Sequence, residues 1–407
     1  MGAVKQTILE GVRVVELAAW TFVPSAGAVL ADWGADVIKI EHPETGDPQR
    51  GLISSGIVAG AGGVNHFIEQ PNRGKRSIGL DFTTEQGRQI LYKMVESADV
   101  FVTNLLPGSR ARAEVDVEHI RAHNPNIVYA RGHGYGARGP QADRGGFDLA
   151  AYWARTGIGD SLTTKEGEYP APQRPAFGDL YAGFAIAGGV AAALFRRQRT
   201  GETAIVDVSL LGAGIWQLAP DIVGAGVTGA PIPKYNLEEM PNPIASLYRT
   251  ADDRFIALVV LQADRYWADL CQRLGRPDLA QDERFANAGV RFQNRRDCVA
   301  ELRKTFASQP IAHWEKALAD FKAVWDTFRT APEIHDDPQV EANGYLPKVT
   351  DGNGNTFALA ANPVQFDEQP VELSAAPAHG QHTEEILLEL GYDWDQIIAF
   401  KVAGATS

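Results

Sequence analysis

The apolar and polar positions of this 407-residue chain fall into blocks. Val12 to Leu17 is a β-branched run of the kind that fills a strand buried on both faces. Pro24 opens a helix over Ser25 to Trp33, since proline is tolerated in a first turn, and Gly34 stops it. Asp36 to Glu41 is the next strand. This is a βαβ unit, which places ligands outside the C-terminal strand ends, here Ala18 to Val23 and Glu41 to Pro43. Further strands are expected at Ser77 to Leu80, Asp99 to Thr103, Ile127 to Arg131 and Ala204 to Leu210. Helices are expected at Thr84 to Ser97, Asp148 to Ile158 and Ala213 to Val227. Phe184 to Phe195 is an Ala/Gly-rich apolar run ending in Arg196 and Arg197, a buried helix with cations suited to its C-terminal end. Gly51 to Gly63 reads as a mobile loop, and Gly159 to Arg174 as a polar one.

The pattern changes after residue 228. Gly229 to Pro243 carries four prolines and reads as a linker. Beyond it come a strand at Arg254 to Leu261 and amphipathic helices at Asp264 to Leu274, Arg291 to Gln309 and His313 to Phe321, which make a smaller second domain. From about Asp336 the chain returns to strand and loop and closes with a helix from Thr383 to Leu390.

A hydrophobic fraction of 44% describes a chain able to bury a large core. The net charge of −13 argues against a nucleic-acid partner, which would need a basic face. Cys271 and Cys298 follow no metal or redox spacing and are expected to be reduced and inert. The chain opens with no leader pattern, and the apolar runs are read as too short for a bilayer, so a cytoplasmic protein is expected.

Three stretches carry candidate chemistry. Pro175 to Gly183 holds one carboxylate, Asp179, among small residues at the start of the apolar helix. Asp179 reads either as an N-cap or as a nucleophile in a gap where Gly178 and Gly183 let a substrate approach, and the local pattern leaves both open. Asn72 to Ser77 concentrates Arg73, Lys75 and Arg76, a solvated turn or an anion clamp, with Arg110 and Arg112 near another strand end. Gly134, Gly136 and Gly139 match G-x-G-x-x-G, but Pro140 and the loop that follows do not open the helix a dinucleotide fingerprint requires.

An ordered set of motifs spans nearly the whole chain. It runs from Leu9-x-Gly11 through Leu30-Ala31-Asp32-x-Gly34-Ala35-Asp36-Val37-Ile38-Lys39-Ile40-Glu41 to Asn72-Arg73-Gly74-Lys75-Arg76-Ser77. Asn104-x-x-Pro107-Gly108, Gly134-Tyr135-Gly136-x-x-Gly139-Pro140, Asp179, Arg199-Thr200-Gly201, Asp337-Pro338-Gln339 and His382-Thr383-Glu384-Glu385 follow. The set resembles the class III CoA-transferases of the formyl-CoA and carnitine type. The resemblance implies an α/β fold with a Rossmann-like large domain built from both chain ends, 1–228 and 336–407. A smaller α+β domain and its linker occupy 229–335, and two copies form an interlocked homodimer. It implies transfer of CoA from an acyl-CoA to a free carboxylic acid, with Asp179 acylated through anhydride and aspartyl–CoA thioester intermediates. Coenzyme A is then a substrate, with no tightly bound cofactor and no metal. By the same resemblance His42, Arg76 and Arg112 line the CoA site, with Lys75 as the next cation. Asn104 and Leu105 flank the pantetheine arm, and Ala19 to Phe22 frame the active site. Ala19, Trp20, Thr21 and Phe22 stand where formyl-CoA transferase has His, Val, Gln and Ala, which implies a reshaped acyl pocket. That enzyme's glycine-rich flap has no counterpart in the second domain.

Two other activities are weighed. An α-methylacyl-CoA racemase, a relative of the same fold, needs an acid–base pair on the α-carbon. Its Gly-His-Asp element reads Gly146-Phe147-Asp148 here, with a ring that carries no proton, and His133 lies far upstream. A non-catalytic acyl-CoA-binding subunit would keep the cations and not need Asp179.

Overall fold

The computed structural model describes residues 5, 7–56, 62–164 and 167–407. The centre of the expected glycine-rich loop, part of the polar loop and most of the first six residues lie outside them. The chain divides into two compact units, one of residues 1–162, 170–232 and 338–407, the other of 163–169 and 233–337.

The larger unit is a βαβ series. It runs β1 (Arg13–Leu17), α1 (Phe22–Asp32), β2 (Asp36–Glu41), α2 (His66–Asn72), β3 (Arg76–Gly79), α3 (Glu85–Glu96) and β4 (Val100–Thr103). Then come α4 (Pro107–Arg112), α5 (Val117–His123), β5 (Val128–His133), α6 (Ile158–Ser161), α7 (Phe177–Thr200) and β6 (Ile205–Ser209). The six strands form one parallel sheet in the order β3-β2-β1-β4-β5-β6. The order reverses between β1 and β4, and in an open α/β sheet the crevice beyond the strand ends at that point is where ligands bind.

The period of two along each strand divides the core between the two faces of the sheet. Val14, Val37, Val100, Val102, Val128 and Ala130 pack with α1 and α7. Val15, Ile38, Ile40, Ile78, Phe101 and Tyr129 pack with α3, α5 and the C-terminal helices Thr383–Glu389 and Trp394–Val402. Thr84 caps α3 by accepting from the Gly87 N–H at 3.1 Å.

Several expectations change. The α7 helix has 24 residues and is apolar enough to cross a bilayer by length and composition, so the reading of the apolar runs as too short was wrong for it. Ala182, Ile186, Ala187, Val190 and Ala193 of α7 lie in the core shared with α1 and the sheet. Ala213 to Val227 is two helices, α8 (Leu210–Gln217) and α9 (Ala219–Thr228), bent by 75°. Pro220 stands in the first turn of α9, where it removes the N–H that would continue α8. Asp148 to Ile158 begins with a π-helical turn, Leu149–Ala154.

The smaller unit holds an antiparallel sheet of β7 (Ala245–Arg249), β8 (Phe255–Val259) and β9 (Val324–Thr327) in that order. Its helices Ala263–Arg273, Arg295–Phe306 and Ile311–Leu318 bury Trp267, Phe306 and Trp314. The single helix expected from Arg291 to Gln309 breaks at Asn294. The strands β7 and β9 were not foreseen, being short runs with little alternation.

Candidate active site

The C-terminal ends of β1, β4 and β5 open into a cavity of about 420 Å³ lined by Asp179. Each wall follows from a strand end. Ala19 and Trp20 follow β1, Asn104 and Leu105 follow β4, and His133 and Gly134 close β5. Phe147 and Gly146 come from the loop before the π-helical turn.

Asp179 is the third residue of α7 and half-buried, and among the described residues its side chain makes no cap hydrogen bond. The N-cap position belongs to Ala176, held at φ 64° in the left-handed region that a non-glycine residue adopts only when its surroundings force it. The cap itself comes from another segment. The Gly178 N–H donates to both carboxylate oxygens of Asp148, at 3.2 and 3.1 Å. A carboxylate other than Asp179 thus takes the favourable seat at the helix N-terminus. Burial, and then the charge of Asp148, push the Asp179 carboxyl up to about 7. Burial also raises Asp148.

The flanking glycines serve packing and not ligand approach, which corrects the sequence reading. A Cβ on Gly178 would lie 2.3 Å from the Tyr152 ring and 2.4 Å from Asp148. One on Gly183 would lie 1.9 Å from Ser25 Oγ and 2.5 Å from the Phe22 carbonyl oxygen, so this glycine lets α7 seat directly on α1. The Ser25 hydroxyl also reaches the Asp179 carbonyl at 3.4 Å.

The β1 loop is rigidly set. Asn104 accepts from the Ala19 N–H at 3.2 Å and donates to the Ala19 carbonyl at 2.7 Å. Trp20 sits at φ 68°, its N–H donating to Asp47 at 3.3 Å. Asp47 is in turn fixed by buried Lys39 at 2.9 Å. His133, set aside in sequence as too far upstream to replace the racemase histidine, reaches the cavity because β5 carries it there. Its Nε2 pairs with Asp207 of β6 at 2.9 Å.

The expected cations separate into two groups. Lys75 is buried, with Nζ donating to both oxygens of Glu16, at 2.9 and 2.8 Å, and to the Pro24 carbonyl and Asn72. Burial lowers its pKa to about 8. Arg76 opens β3, at the N-terminal edge of the sheet, and is paired with Asp36, Glu385 and Glu389. The sequence reading set it among strand-end cations of a ligand site. In the structure it stands at the opposite ends of the strands from the cavity, and β2 lies between its strand and β1. His42 follows β2, exposed, its Nδ1 accepting from the N–H groups of Glu44 and Thr45. Arg112 ends α4, exposed, and donates to Ser109, a cavity residue, at 3.1 Å. Arg144, which the sequence reading passed over, lies between the cavity residues Ala142 and Gly145 and stacks over Tyr135 at 5.1 Å. Among the described residues neither Arg112 nor Arg144 is paired with a carboxylate. Two exposed guanidinium groups next to cavity-lining residues can hold an anion by charge-assisted hydrogen bonds.

Comparison with known proteins shows likeness over nearly the whole chain. A family profile described as CoA-transferase family III matches residues 9–383. The (R)-2-hydroxy-4-methylpentanoate CoA-transferase of Clostridioides difficile is 33% identical over 395 residues, covering 97% of this chain and 98% of that one. The cinnamoyl-CoA:phenyllactate CoA-transferase of Clostridium sporogenes is 32% identical, covering 96% and 95%. A crystal structure of a CAIB/BAIF family protein from Brucella suis superposes with a TM-score of 0.82 at 29% identity, over 95% of this chain and 100% of that one.

Proposed function

The chain belongs to CoA-transferase family III and is an enzyme of the class III CoA-transferases, and we propose that it moves CoA between carboxylic acids through covalent intermediates on Asp179. One observation carries this reading: Asp179 is the carboxylate that lines the cavity at the strand-order reversal. Its carboxylate attacks the thioester carbonyl of the donor. The C–S bond breaks, CoA leaves as thiolate, and an acyl–aspartyl anhydride remains. The thiolate then attacks the aspartyl carbonyl, which releases the donor acid and leaves an aspartyl–CoA thioester. The acceptor carboxylate attacks that thioester, and the thiolate returns to the acceptor's acyl carbon, which restores Asp179. Every intermediate stays activated, so no outside energy is required.

The surroundings of Asp179 suit the role. The Asp148 charge and the burial that hold its carboxyl near 7 make it a stronger nucleophile once ionised than an ordinary aspartate. Arg112 and Arg144 hold the CoA phosphates at the mouth, while Asn104 fixes the loop the thioester lies against. A second copy of the chain covers apolar side chains that α7, α8 and α9 leave exposed, Phe195, Trp216, Val223 and Val227, in keeping with an interlocked homodimer.

Mass spectrometry of CoA exchange among a panel of acyl-CoAs and free acids tests the reading. Asp179→Asn is expected to lose at least about a thousandfold in rate, more than 4 kcal/mol of barrier, with its circular dichroism unchanged. Transfer within tenfold of the parent is too small a loss for a missing nucleophile. Proton chemistry gives a second check. His133 shares the cavity, so a 2-methylacyl-CoA in deuterated water is a direct probe of racemase activity. It is expected to stay unlabelled at the α-carbon, because Phe147 offers no proton. Rapid uptake that depends on His133 would replace the transferase reading with proton abstraction.

A further inference from the structure

Resting on the reading of Asp179 as the acylated residue, we propose that the acyl group transferred here is an apolar monocarboxylate with an aromatic or branched side chain, selected by Trp20 and Phe147. Trp20, Phe22, Leu105, Phe147 and Leu210 wall the cavity that holds Asp179. Trp20 and Phe147 meet edge to face, ring centroids 5.4 Å apart, within the range for favourable aromatic pairing. Phe147 keeps 65% of its surface exposed, so it offers a ring to a ligand and adds little to the core. Trp20 is a fixed wall, because its left-handed backbone is held by Asp47 and by the clasp of Asn104 on Ala19.

The charge of the cavity excludes the alternative class. Among the described residues no lysine or arginine lines it. Two of its polar side chains are already engaged, Asn104 with Ala19 and His133 with Asp207. A second carboxylate on the substrate would lose its hydration there, unpaired, beside Asp179 and Asp148. An aromatic or branched chain loses nothing polar and gains the same walls.

The test measures kcat/KM of the full chain for 3-phenylpropanoate, 4-methylpentanoate, succinate and glutarate as acceptors, with 3-phenylpropanoyl-CoA and succinyl-CoA each as donor. The apolar acids are expected to exceed the dicarboxylic acids by about a hundredfold or more with either donor. Phe147→Arg, at an exposed position, is expected to narrow that ratio to about tenfold or less by raising the succinate value. Trp20→Ala is expected to raise KM for 3-phenylpropanoate about tenfold. Succinate equalling the apolar acids, while Asp179 still acquires a covalent adduct, overturns this inference alone. No transfer to the apolar acids from either donor overturns it too. Transfer that persists in Asp179→Asn overturns the underlying reading and the inference with it.

Discussion

The two edges of the parallel sheet are built for different purposes. At the N-terminal edge charges are spent on one another. Arg13 and Arg76 share Asp36, at 2.9 and 2.7 Å, and Arg76 also binds Glu389 at 2.7 Å. Arg197 of α7 closes on Asp99 at 2.6 Å. At the C-terminal edge Glu41 still closes on Arg50 and Asp47 on Lys39, but among the described residues Arg112 and Arg144 stand without carboxylates and Asp179 without a cation, and two non-glycine residues hold left-handed backbone, Trp20 and Ala176. Unpaired charge and strain are unfavourable for folding, and they collect where a ligand would use them. One edge holds the fold together, and the other is left incomplete for substrate.

The sharpest way to break this contrast is to remove cations from the two edges in turn, Arg112 and Arg144 from one and Arg76 from the other. Arg112→Ala and Arg144→Ala are each expected to weaken free CoA about tenfold, and added salt to shrink the difference from wild type. Arg76→Ala is expected to leave CoA affinity within about twofold and to lower Tm by a few degrees, because its carboxylates lose their partner. Calorimetric titration and thermal unfolding read both. A reversed outcome, with Arg76 controlling affinity and the other two controlling stability, would dissolve the distinction between the edges.

A smaller effect sharpens it. Asp148→Asn is expected to move the acid limb of the kcat–pH profile to lower pH. The charge that helps hold Asp179 up is removed, although burial, the larger cause, stays. The same raised pKa has a sign for stability. Asp179 ionises less readily folded than unfolded. Its contribution is therefore fully present below about pH 4 and is lost as pH rises through about 7. Asp179→Asn should raise Tm near pH 8 and leave it unchanged near pH 4, as thermal unfolding at the two pH values checks. An acid limb that stays in place in Asp148→Asn would mean that the neighbouring charge does not tune the nucleophile.

Local pattern carried much of this. The β1–α1–β2 unit was legible from its β-branched runs, Pro24 and Gly34, and the proline linker from its composition. The helix behind Asp179 was legible from its Ala/Gly run and basic end. Ala19, Trp20, Asn104 and Leu105 were placed at strand ends, and they meet Asp179 in one cavity. The partners of charged groups could not be read locally. Lys75 looks like a surface cation until Glu16 of β1 and the Pro24 carbonyl close over it. Arg76 looks like a clamp until a helix from the far end of the chain brings Glu385 and Glu389. Asp148 stood out in sequence only as the last residue of Gly146-Phe147-Asp148, where a racemase has Gly-His-Asp, and only the fold shows it capping α7. Gly183 reads as space for a ligand until α1 is found to fill it.

The central claim is that the incomplete edge holds a nucleophile, and trapping it is the most direct test. Full-length protein would be incubated with an acyl-CoA, quenched with hydroxylamine or borohydride, digested and mapped by mass spectrometry. Only an activated carboxylate reacts with these reagents, so the account predicts a hydroxamate or an alcohol at Asp179 that depends on acyl-CoA and is absent in Asp179→Asn. An unmodified Asp179 during active turnover, or modification at another carboxylate such as Asp148, would contradict it.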